Sequence, residues 1–116
     1  MSEQIFRPEA ILQGVGDDVE LARELLQAYS EDAPLRLAAL RKAIADNDPE
    51  SSSRTAHSLK GMSGVVRIQP LAEMSLGMEL TARAGNMDEV RRRFPALEAA
   101  LAQALNEIGV YLGQPA

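Results

Sequence analysis

The only histidine of the chain, His57, lies in the run Thr55-Ala56-His57-Ser58-Leu59-Lys60-Gly61-Met62-Ser63-Gly64, which no proline interrupts. An imidazole with its unperturbed pKa of about 6.5 is a nucleophile near neutral pH. Lys60 follows at +3 and brings a mobile ammonium to the same side of a helix, a combination suited to an anionic group, above all a phosphoryl group. The run must first wind as a helix. At about 100° per residue, Thr55, Leu59, Met62 and Val66 fall about 140–200° from His57 and form an apolar stripe for a core. Arg54, Lys60, Gly61 and Gly64 fall within about 60° of His57 and place the imidazole in the middle of an outward face.

The two glycines are the unusual part of that face. Each costs about 1 kcal/mol relative to alanine inside a helix, so a helix selected for stability alone would not set both beside its one imidazole. Without Cβ atoms the surface is flat and another backbone can approach. The plain alternatives are an idle surface histidine and a Gly64 that only ends the helix. The unique histidine, the lysine at +3 and glycines at +4 and +7 together favour a docking face over coincidence.

The string His57-Ser58-Leu59-Lys60-Gly61, followed by Ser63-Gly64, resembles the H-x-L-K-G signature of histidine-containing phosphotransfer (HPt) domains, and the expected helix order and lengths fit over nearly the whole chain. The resemblance implies an up-and-down helical bundle. It also implies that His57 takes a phosphoryl group from the phosphoaspartate of a receiver domain, in a response regulator or a hybrid histidine kinase, and passes it on. Lys60 would disfavour the protonated imidazole before transfer and pair with the phosphoryl oxygens afterwards. The family often places a Gln or Glu at +22 to orient the imidazole, which is Glu79 here. Arg54, Gly61, Gly64 and Arg67 would form the docking face, although Arg54 can equally pair with Glu50. Two positions depart from the pattern: Arg67 replaces the usual glycine at +10, and Met62 a small residue at +5. The Arg67 change bears on the helix exit, the docking rim and partner choice. No P-loop, kinase glycine loop or acidic Mg²⁺ cluster occurs, so the expectation is no enzyme with its own ATP site and no cofactor. The Mg²⁺ would belong to the partner receiver.

The elements that must carry this face are legible from composition and punctuation. The 116 residues suffice for one domain with a real core. Aromatics make up only 3%, so aliphatic side chains must fill that core, which favours helices over a sheet. Residues 1–7 read as an extended lead-in. Pro8 opens a short helix to Gln13, broken by Gly14-Val15-Gly16, and Asp17-Asp18 caps a second helix to about Tyr29 with Val19, Ala22, Leu25, Leu26 and Tyr29 on one face. Asp32 and Pro34 mark a new start. The expected fold is all-α, an antiparallel four-helix bundle over about 33–47, 49–66, 70–84 and 87–112, with the N-terminal helices packed on one end and a frayed tail at 113–116. Asp48 and Asn86 are expected caps, Glu73 a first-turn acid, and Gly85 a helix end. Val90, Phe94, Leu97, Leu101, Ala104 and Ile108 form a bundle seam in which Pro95 should kink the helix or delay its regular part.

Other classes are disfavoured. A net charge of −5 and a pI near 4.8 argue against nucleic-acid binding. No membrane span or signal peptide is evident, so a cytoplasmic protein is expected, and it is read as a monomer. Whether it stands free or is a piece of a hybrid kinase stays open, the compact start and end leaning slightly toward the former. With no cysteine and one histidine, neither a disulfide framework nor a zinc centre is expected. A helical adaptor that never carries phosphate is the main alternative. A haem bundle with His57 and Met74 or Met78 as ligands is another, but methionines on an apolar stripe are more often core filler.

Overall fold

In the computed structural model, which describes residues 3–115, the chain forms five α-helices, with no strand among the described residues. They are α1 (Pro8–Gly14), α2 (Val19–Ala45), α3 (Pro49–Val65), α4 (Gln69–Arg83) and α5 (Met87–Leu112). Met1, Ser2 and Ala116, the outermost parts of the expected lead-in and tail, lie outside the described residues. None of the helices is long and apolar enough to cross a membrane.

Helix starts follow the side chains available. Asp18 accepts the Leu21 N–H, Asp48 the Ser51 N–H, and Asn86 the Glu89 N–H, which satisfies amides that have no partner inside their helices. For α4 the expectation fails in detail. Ile68 is its N-cap and makes no capping bond, and Glu73 lies beyond the first turn, where it instead accepts from Gln69.

The ends of α2, α3 and α4 share one device. After α2, α3 and α4 a residue with positive φ turns the chain: Asn47 at 54°, Arg67 at 59° and Gly85 at 79°. In each case its N–H and the next one reach back to close the last turn. After α3, for example, Arg67 N–H donates to the Gly64 carbonyl at 3.1 Å and Ile68 N–H to the Ser63 carbonyl at 3.0 Å.

The separate helices expected to either side of Asp32 and Pro34 are one helix, α2. Proline cannot donate to the Ser30 carbonyl, but Pro34 sits on the exposed side, where water can satisfy that oxygen. The buried stripe Ala22, Leu26, Tyr29, Ala33, Leu40 and Ile44 runs past it without a change of face. Packing therefore outweighs the local cost, and a single short helix, α1, stands apart at the N-terminus. Pro95 likewise lies inside a continuous α5.

Helix α3 packs between α2 and α4, α4 packs on α5, and α5 returns to α2. The core between them is aliphatic, with Leu26, Leu40, Leu59, Leu71, Met78, Val90, Leu101 and Ile108 buried. The expected α5 seam holds, with Phe94 partly buried. On α3 the buried stripe is Ser52, Ala56, Leu59 and Ser63, continued by Val66, rather than the expected Thr55, Leu59, Met62 and Val66. The small residues Ala56 and Ser63 face inward, which rotates His57 toward α4.

Candidate functional site

His57 projects from the middle of α3 with 63% of its side chain exposed, while Glu79 on α4 is 3% exposed. The two meet at 3.1 Å between His57 Nδ1 and Glu79 Oε2. The rotation of α3 described above and the small Ala56 and Ala82, both fully buried, accompany this approach of the two helices. Arg83, one turn further along α4, donates from Nη2 to the same Oε2 at 2.6 Å. Lys60 Nζ lies 3.1 Å from the other oxygen, Oε1, as an ion pair. One buried carboxylate thus gathers an imidazole, a guanidinium and an ammonium.

Burial pushes the Glu79 carboxyl up, but the Lys60 ammonium and the His57 ring together outweigh that and hold it below the usual carboxylate range. An ionised carboxylate can only accept, so Nδ1 must carry the proton of this hydrogen bond. The lone pair of the neutral ring is then on Nε2, the nitrogen turned away from Glu79. A nucleophilic nitrogen on an exposed ring, with cations beside it, can attack an electron-poor phosphorus and hold the product.

Of the other residues singled out, Arg54 borders His57 and pairs loosely with Glu50 at 3.7 Å, both side chains being largely exposed. Such a pair is worth about 0.3–0.5 kcal/mol and exchanges easily. Arg54 and Arg83 stand on opposite sides of a groove between α3 and α4 that begins at His57 and is also lined by Ser53, Ala82 and Gly85. Gly61 and Gly64 are exposed, and a Cβ added to either would meet nothing within 4 Å. No internal packing requires glycine there.

Arg67 is not gathered with the others. It follows the end of α3, and its guanidinium lies over Gly14, where an added Cβ would come within 3.0 Å of Nη2. Its positive φ gives a physical reason for a glycine at this position. Met62 is partly buried against the core, in keeping with the helical wheel. Met78 is buried and His57 faces out, so these two do not converge on a common ligand site.

Arg83 is the member of the cluster that sequence reasoning missed. The signal was there: once Glu79 is placed, Arg83 is its i+4 neighbour and must share its side of α4.

A family model described as Hpt domain matches residues 24–107. That stretch runs from the first turns of α2 into α5 and includes His57, Lys60, Glu79 and Arg83. No curated protein and no solved structure matches the chain. With most of its length matched, the site cluster included, the protein belongs to the Hpt domain family.

Proposed function

We propose that the protein is a phosphorelay intermediate. Hpt domains are phosphotransfer modules of two-component signalling rather than kinases. In this reading His57 takes a phosphoryl group from a receiver phosphoaspartate and passes it to, or takes it back from, another receiver aspartate. The lone pair of Nε2 attacks phosphorus, the N–P bond forms as the acyl P–O bond breaks, and the aspartate leaves as a carboxylate. The observation that carries this reading is the exposed imidazole whose Nδ1 is fixed on a buried carboxylate. Glu79 orients the ring and fixes its tautomer. Lys60 and Arg83, resting on Glu79, turn to the phosphoryl oxygens as these arrive.

Arg54, Gly61 and Gly64 form the docking face, and Arg67, which lies apart with its guanidinium over Gly14, touches at most its rim. The second half of α2 with α3, α4 and α5 is read as an up-and-down antiparallel bundle, and the protein as a cytoplasmic monomer. No cofactor is assigned to this chain; the Mg²⁺ of the reaction sits in the receiver. The test is incubation with phosphorylated receiver domains. The expected product is acid-labile, base-stable label on this chain that His57→Gln abolishes. Label that persists in His57→Gln overturns the assignment.

A further inference from the structure

The turn of α3 that carries Gly61 and Gly64 is weakly built. Two glycines and a serine lower its helix propensity, and β-branched Val65 and Val66 follow. Between Leu59 and Val66 the only fully buried side chain is that of Ser63, with Met62 partly buried beside it. The inward anchor of this turn is therefore a hydroxyl rather than an aliphatic group. Ser63 Oγ lies 3.0 Å from the Tyr29 hydroxyl of α2, and both residues are buried. Burial pushes the Tyr29 phenol up, so its hydroxyl keeps its proton at neutral pH and remains available as a donor.

Two other buried serines, Ser52 and Ser75, have no side-chain partner among the described residues. The Tyr29 pairing is thus a tie between α2 and α3 of a kind that these two serines do not make. Ser63 is also the residue whose carbonyl accepts the Ile68 N–H at 3.0 Å and closes α3. Holding its side chain therefore holds the turn and the exit of the helix together.

We propose that Tyr29 is a positioning residue: its hydroxyl, through Ser63, keeps the glycine-bearing turn of α3 helical so that a partner meets a preformed surface. The proposal rests on the phosphotransfer reading for its functional consequence, and on geometry alone for its structural one. It acts on docking and leaves the His57, Lys60 and Glu79 cluster untouched.

The experiment compares the wild-type chain with Tyr29→Phe, Ser63→Ala and the double variant by amide hydrogen exchange, by transfer of label to a receiver domain that labels His57, and by hydrolysis of the label without a receiver. Losing one buried hydrogen bond is expected to speed exchange of the Val65 to Ile68 amides by about fivefold relative to amides around Leu101 in α5. The second-order rate of transfer is expected to fall by a similar factor, while the hydrolysis half-life stays the same. The double variant should be no worse than either single one. Exchange that rises equally in all helices, transfer that keeps its rate, or a half-life that changes with the transfer rate would each overturn the proposal. A wild-type chain that no receiver labels would sink the phosphotransfer reading and the docking role with it. The exchange data would still show whether the tie exists.

Discussion

Glu79 is where the site and the stability of the protein meet at a single residue. A buried carboxylate without partners would take up a proton rather than remain charged. Here Lys60 and His57 offset the burial and hold it ionised below the ordinary range. The unfolded chain, with an ordinary carboxyl, binds a proton first as pH falls. The stability from this group is therefore present above the ordinary carboxylate value and drains away as pH drops through the folded one. In Glu79→Gln the acid limb of the urea midpoint against pH should flatten. Near neutral pH the change should cost about 1 kcal/mol, because Lys60 and Arg83 can turn to water when released. An acid limb identical to that of the wild type would show that another group governs it. His57 and Lys60 were legible from one stretch of sequence because their relation is local. Glu79 was reached only through family resemblance, since nothing local marks a glutamate that will face another helix. Arg83 was missed, although its place one turn beyond Glu79 on α4 would have given it away.

On α3, stability and docking pull in opposite directions. A Cβ at Gly61 or Gly64 would enter open space, so Gly61→Ala and Gly64→Ala should each stabilise the fold by about 0.5–1 kcal/mol. If the bare face serves a partner, the same changes slow phosphotransfer, and urea unfolding read beside transfer rates separates the two effects. Stabilised variants that transfer at the wild-type rate would mean that the glycines do not clear a docking surface. The exit of α3 offers a second test. Arg67 is held at a φ of 59°, a conformation that costs an ordinary residue about 1 kcal/mol and a β-branched one more. Arg67→Gly should be neutral or slightly stabilising, and Arg67→Val should cost at least about 1 kcal/mol in thermal or urea unfolding. The residue that turns the chain was readable where its type favours positive φ, as at Asn47 and Gly85, whereas after α3 the end expected near Val66 falls at Val65 but nothing marks Arg67 as the residue with positive φ. The break expected near Pro34 failed for the opposite reason: a strong local signal was overruled by packing. The buried stripe that continues through Ala33 to Leu40 and Ile44 was the better guide.

Across the whole molecule, the N-terminal segment is tied to the other end of the chain, which periodicity alone could not foretell. Glu107 on α5 accepts the Ile5 N–H at 3.0 Å and the Phe6 N–H at 2.8 Å through one oxygen. Gln103 donates to the other Glu107 oxygen at 2.9 Å and to the Glu3 carbonyl at 2.6 Å. Phe6 is buried and meets Tyr111 edge to face, with ring centroids 5.7 Å apart. Arg23 on α2 donates to the Leu112 carbonyl at 2.6 Å and lies over the Tyr111 ring. The lead-in therefore covers one end of the helical core. Removing the Phe6 ring should leave a cavity costing about 3–5 kcal/mol, a large share of the stability of a domain this size. In Glu107→Ala two backbone amides lose their acceptor, at a cost of about 1–3 kcal/mol. Neither residue touches the cluster around Glu79, so both variants should lower the unfolding midpoint while label on His57, per folded molecule, keeps its wild-type transfer and hydrolysis rates. A Phe6→Ala variant that is fully folded at the assay temperature yet transfers slowly would show that this end of the bundle is coupled to the histidine face through α2 and α3.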